Sequence, residues 1–198
     1  PIVRELLVRP TRIPDESLGG YLVRCADRNG LCRTRWLFSA CGIHAQVVVR
    51  GCPKCVAEES GYWREDWLQP RAVVCLRHGV WLMDACPTCR RPFSWGSVRR
   101  RSCMCGSAFT EMPTVPAEPA LLLKLSSDPA SLNLIFWLGV LSTFGFGNRG
   151  FSQCRSRDLG SNRSLLSAGA RVLNDWPEAF RTALVSWRRE PKTQGQLQ

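Results

Sequence analysis

Eight potential metal ligands fall in four ordered pairs between residues 52 and 105, and no other feature of the chain narrows its possible folds so far. The run is Cys52-Pro53-Lys54-Cys55, then nineteen residues, then Cys75-Leu76-Arg77-His78. Seven residues later come Cys86-Pro87-Thr88-Cys89, then thirteen more, then Cys103-Met104-Cys105. A Cys-x-x-Cys turn lets two sulfurs face one point. Two such turns complete a tetrahedron of soft ligands, with bonds of about 2.0–2.3 Å to zinc. One pair alone is ambiguous between a metal knuckle and a redox dithiol, whereas four ordered pairs are specific for metal. The pattern predicts two structural zinc ions per chain. One is expected on Cys52, Cys55, Cys75 and His78, the other on Cys86, Cys89, Cys103 and Cys105. Consecutive pairing is favoured; an interleaved cross-brace is the alternative, because spacing alone does not fix connectivity. Four protein ligands leave no open coordination position, so water activation at zinc is not expected.

The other cysteines carry less. Cys25 and Cys41 fall on apolar helical faces and read as core; Cys32 falls in a turn and Cys154 in a loop. His44 has no cysteine at metal spacing. Eleven cysteines is an odd count, and the start Pro1-Ile2-Val3-Arg4-Glu5 lacks the basic and apolar regions of a signal peptide. Metal-bound thiolates in a reducing cytoplasm are therefore expected rather than disulfides. The sequence also lacks an initiator Met, consistent with a missing N-terminal part. A hydrophobic fraction of 44% in 198 residues suits one ordinary globular domain or two small ones. No apolar stretch reaches the ~18 residues needed to cross a bilayer.

Helical periodicity brackets the cysteine region. Asp15 is placed to cap a first helix whose Leu18, Tyr21, Leu22, Cys25 and Ala26 share one face, with Gly30 as its stop. Thr34 is placed to cap a second, with Leu37, Phe38, Ala40 and Cys41 inward and Gly42 as its stop. Two short helices around a Gly-containing turn are compatible with a helix-turn-helix. Downstream, Asp128-Pro129 is placed as a helix start ahead of Leu132, Ile135, Phe136 and Leu141. A further helix carries Leu165, Gly169, Val172 and Leu173. Asp175-Trp176-Pro177 breaks it before Phe180, Ala183, Leu184 and Trp187. The expected fold is mainly α with small zinc-ribbon β elements. Residues 1–50 form an extended arm and helix-turn-helix, 51–112 two tandem zinc modules, 113–127 a Pro-rich linker, and 128–198 a helical region with a polar tail.

Formal charge is +11, from 27 basic and 16 acidic residues, and only three of the basic residues are lysine. Arginine suits bidentate phosphate contact, although base composition produces the same bias. Arg90, Arg91, Arg99, Arg100 and Arg101 crowd the loop between the ligand pairs of the second zinc module, with no acid among them. A charge run is often only a solvated face; a rigid zinc loop makes this one a candidate for phosphate contact. The segment Tyr62-Trp63-Arg64-Glu65-Asp66-Trp67-Leu68 reads first as core for a small domain and second as a binding face.

The order of these motifs is similar to one known family. A Pro-rich start leads into Glu16-Ser17-Leu18-x-x-Tyr21-Leu22-x-Arg24 and the helix pair. There follow Cys52-Pro53-x-Cys55, Tyr62-x-Arg64-x-x-Trp67, Cys75-x-x-His78-Gly79, Leu82, Cys86-Pro87-x-Cys89 and Cys103-x-Cys105-Gly106. This resembles the TniQ family, relatives of TnsD in bacterial transposons, over about residues 9–110. The segment Asp175-Trp176-Pro177-Glu178-Ala179-Phe180 is similar to the family's helical C-terminal region. Longer members continue beyond this length, so the chain is read as a short member or as part of a longer one.

The resemblance implies a non-enzymatic adaptor that selects the target site for transposition. Such an adaptor engages an AAA+ ATPase of the TnsC or TniB type, together with target DNA or a CRISPR effector complex, and through the ATPase a transposase. It places the ATPase-docking face on Arg33, Arg35, Trp36, Tyr62, Trp63 and Trp67. The sequence carries no nucleotide-binding P-loop and no convincing acidic triad for strand transfer, which fits an adaptor. A free-standing zinc-dependent helix-turn-helix transcription regulator is the alternative. A zinc hydrolase or thiol oxidoreductase is disfavoured by the closed ligand sets.

Overall fold

The structure is a computed structural model that describes residues 8–42, 49–58, 62–69, 71–127, 131–144 and 159–189. The chain divides into two compact units, 1–116 and 117–198. Its described residues are mainly helical, with one two-stranded sheet. None of the helices described is long and apolar enough to cross a membrane.

In the first unit, helix α1 spans Leu18–Arg28. Its N-cap is Ser17, whose hydroxyl accepts from the Gly20 N–H at 3.0 Å. Asp15, expected to be the cap, sits instead at φ 62°. There its carboxylate meets Arg64 at 3.4 Å and its carbonyl accepts from the Glu65 N–H. The buried face is Gly19, Gly20, Leu22, Val23, Cys25 and Ala26, while Leu18 is 50% exposed. The face is rotated from the expected one because glycine adds no signal to hydrophobic periodicity, yet Gly19 lies where any Cβ would overlap the Trp95 ring. Gly30 at φ 61° turns the chain. Helix α2 (Arg35–Ala40) then buries Leu37 and Phe38, the latter against Trp95 at 5.4 Å between ring centroids. Thr34 is its N-cap residue but makes no side-chain capping bond, and Ala40 and Cys41 are exposed rather than inward. His44, Cys154, Asp128-Pro129 and the polar tail lie outside the described residues, as do the side chains of Trp36 and Trp187.

Around the cysteines the elements are short. Helix α3 is Pro53–Ala57, β1 is Val74–Cys75 and β2 is Val80–Trp81, paired antiparallel with Cys75 opposite Val80. Gly51 and Met83 exchange backbone hydrogen bonds at 2.9 Å, and helix α4 (Trp95–Arg100) follows. One aromatic core runs beneath these pieces. Trp63 meets Trp67 edge-on at 5.6 Å and Phe109 at 5.4 Å, and Phe109 meets Phe93 at 4.7 Å. Two buried charged groups lock it. The carboxylate of Glu16 takes both Arg24 Nε and Nη2 at 2.6 Å. Arg50 donates to the carbonyls of Gln69 and Ala72 at 3.1 and 3.0 Å. Such pairing is what makes a buried charge tolerable.

The stretch expected to be a linker is mostly structured. Trp81 N–H donates to the Val115 carbonyl at 2.9 Å, and Pro116 lies in an antiparallel bridge opposite Val80. Proline is admissible at such an edge. Residues Pro119–Ser127 form helix α5, which tolerates proline in its first turn.

The second unit holds α5, α6 (Ser131–Phe144), α7 (Leu159–Asn174) and α8 (Glu178–Arg189). Helices α6 and α7 form its main packing contact. Gly139 and Gly169 set the distance: a Cβ on the first would run into the Leu165 carbonyl, and one on the second into that of Ile135. Ile135, Phe136, Leu166 and Ala170 fill the contact, and Leu121 and Leu125 of α5 add to the buried core of this unit.

Candidate metal centres

The eight ligands gather into two sets, and the sets are consecutive rather than interleaved. Within each, the four candidate donor atoms lie within 4.8 Å of one another. In the first, Cys55 Sγ and Cys75 Sγ are 3.6 Å apart. His78 Nδ1 lies 3.6, 3.2 and 3.7 Å from the sulfurs of Cys52, Cys55 and Cys75. In the second, Cys86–Cys105 and Cys89–Cys103 separations are 3.7 and 3.4 Å. A disulfide would need about 2.05 Å. A tetrahedron with metal–sulfur bonds of about 2.3 Å has edges of about 3.8 Å, close to what is observed. Both sets therefore could hold a metal ion.

The local folds explain the convergence. In each Cys-x-x-Cys turn, backbone N–H groups point at the first sulfur: those of Lys54 and Cys55 at Cys52, and those of Thr88 and Cys89 at Cys86. Proline follows both first cysteines and suits the tight entry. The β1–β2 turn folds back through Gly79, at φ 62°, whose N–H donates to the Cys75 carbonyl at 2.8 Å.

The protonation chemistry tests the fit of a cation. Hydrogen bonds from the Cys55 and Cys75 thiols, helped by the turn N–H groups, pull Cys52 down to about 3. The same contacts with Cys52 and Cys75, together with burial, push Cys55 strongly up. In the second set the Ser107 hydroxyl, 3.4 Å away, and its N–H hold Cys105 at about 6. Cys89 has the Arg91 N–H to favour its thiolate, but contacts with Cys103, Cys105 and Cys86 push it up to about 11. Sulfurs packed this closely cannot all ionise by themselves, and a divalent cation among them removes that conflict.

The two centres differ in shelter. Cys52, Cys55 and Cys75 are buried with His78 half-buried, whereas Cys105 is exposed and Cys89 half-buried. Sequence reading missed two residues at the first centre. Glu58, directly after α3, places Oε1 3.0 Å from His78 Nε2. Arg50 holds the 69–72 segment that leads into β1. Neither carried a signal, since a lone Glu and a lone Arg have no motif.

The basic residues do not form one loop. A capping box of Ser94 and Ser97 starts α4, so Arg99 and Arg100 end a helix, where cations suit the dipole. Arg99 is tied to Asp27 at 2.9 Å. Arg90, Arg91, Arg100 and Arg101 are exposed, and among the described residues none has an ion-pair partner. Of the expected docking residues, Arg33 and Arg35 are exposed and Tyr62 is half-buried. Trp63 and Trp67 are 3% and 1% exposed and belong to the core, which corrects their assignment to a contact face. Tyr62 and Trp63 line one cleft with Arg24, Asp27, Arg99 and Arg101.

Comparison with protein-family models, with curated proteins and with solved structures found no match.

Proposed function

We propose that the chain is a non-catalytic, zinc-stabilised adaptor that selects target DNA for transposition and engages an AAA+ ATPase. The observation that supports it best is a charge pattern on a closed metal scaffold. Four exposed arginines, without acidic partners among the described residues, lie in sequence between the ligand pairs of a centre whose four ligands come from the protein, as in structural zinc. A donor set of three cysteines and a histidine suits zinc, as does one of four cysteines, and the part of such a zinc is to hold the fold. The transposition role rests on the motif order that resembles the TniQ family. In this reading α1 and α2 are its helix-turn-helix, and Arg33, Arg35 and Tyr62 belong to the face presented to the ATPase.

The test has two arms. Replacing Arg90, Arg100 and Arg101 with Gln should weaken DNA binding evenly across sequences and flatten the log–log salt dependence by up to about 3. Arg99 is left in place because of its bond to Asp27. The intact chain should also assemble with ATP-loaded ATPase on DNA. An unchanged salt slope would reduce the arginines to a solvated face. Site-specific DNA binding with no ATPase requirement would instead identify a transcription regulator.

A further inference from the structure

We propose that Glu58 is a positioning residue for the first metal centre, fixing the tautomer and orientation of His78 so that Nδ1 faces the metal. The inference rests on reading Cys52, Cys55, Cys75 and His78 as a metal site.

A neutral imidazole has one N–H and one lone pair, and only the lone pair binds a cation. His78 Nδ1 faces all three sulfurs at 3.2–3.7 Å, so with a cation among them Nδ1 must offer its lone pair and the proton sits on Nε2. Glu58 Oε1 is 3.0 Å from Nε2 and is placed to accept that proton's hydrogen bond. A carboxylate accepts but does not donate, so it selects one tautomer. The other Glu58 oxygen is occupied as well: Arg77 Nη2 lies 3.0 Å from Oε2. With both oxygens held, the carboxylate cannot swing away without losing two bonds.

Its place in the chain adds to this. Glu58 is the C-cap residue of α3, the helix that carries Cys55 and begins beside Cys52. Arg77 and His78 belong to the turn between β1 and β2. Glu58 therefore links the two halves of the ligand set independently of the metal. Outer carboxylates of this kind orient histidine ligands and raise their basicity, and their loss typically lowers metal affinity about 10–100-fold. The competing explanation is an ordinary surface ion pair of Glu58 with Arg77, which would have little effect on metal.

Competitive chelator titration of the full chain resolves the two centres, and the second serves as internal reference. Glu58→Ala should weaken the first centre about 10–100-fold and leave the second within about twofold. Glu58→Gln should recover most of the loss, because its amide oxygen still accepts from Nε2–H. Arg77→Ala should cost far less than Glu58→Ala. Unchanged affinity in Glu58→Ala would overturn the proposal. So would equal weakening of both centres, or an Arg77→Ala effect as large as that of Glu58→Ala. Should Glu58→Ala fail to fold, long-range proton–nitrogen correlation on the wild-type chain decides, since it contains two histidines. A His78 proton on Nε2 supports the proposal, and one on Nδ1 overturns it. A wild-type chain with no metal on the first set would refute the metal reading itself, before any variant is made.

Discussion

Trp63 is a single side chain on which two functional stories meet. It lies against Trp67 and Phe109, and its ring passes so close to Gly51 that a Cβ there would overlap it. Truncating a buried tryptophan costs about 3–5 kcal/mol through lost burial and an unfilled cavity. Trp63→Ala and Trp67→Ala should therefore lower the melting temperature strongly, whereas Tyr62→Ala should leave it nearly unchanged. A Trp63→Ala chain that melts like wild type would return this residue to the surface. From the sequence, the aromatic segment holding both tryptophans reads first as core and second as a contact face, and their burial places them in the core. Burial is a property of where neighbouring segments arrive, and here that neighbour is Phe109, about 46 residues beyond Trp63.

Among the elements, the α6–α7 pair rests on two glycines rather than on its largest side chains. The obstacle to a Cβ at Gly139 or Gly169 is a backbone carbonyl of the facing helix, which cannot rotate away. Overpacking of this kind costs about 1–3 kcal/mol. Gly139→Ala should thus destabilise the second unit even though alanine is the better helix former. Gly96→Ala in α4, where the nearest atoms are at 3.5 Å, should be neutral or stabilising by up to about 1 kcal/mol. Thermal unfolding of the two variants side by side checks the sign of each. The existence of helices at α1, α6 and α7 was legible from the spacing of their apolar residues. The capping box that begins α4 was not, because Ser94 and Ser97 sit inside a run that reads as an arginine-rich loop. Nor was α5: Pro113, Pro116 and Pro119 together suggest a linker, although Pro119 occupies a position in the first turn where helices accept it.

At the level of the whole molecule, the two proposed metal centres and apolar burial would divide the work of folding. In the first unit the secondary structure between residues 51 and 116 comes in pieces of two to six residues, too short to persist alone. Ligand spacing made this part of the fold legible, since four ordered pairs admit few arrangements, though only coordinates separate consecutive from interleaved pairing. Each structural zinc contributes roughly 10–16 kcal/mol of apparent binding energy. A strong chelator should accordingly remove helix and tertiary signal belonging to the first unit while α6 and α7 persist, as circular dichroism combined with limited proteolysis would show. The second centre, with Cys105 exposed, should be stripped faster than the first, giving two kinetic phases of which Cys105→Ser abolishes the fast one. The proposed centres require two zinc ions on the eight ligands of every folded chain. Elemental analysis of the natively purified protein, set against its amino-acid concentration, tests this most directly. Two zinc atoms per chain are expected; about one, none, or iron in place of zinc would overturn the assignment of the ligands.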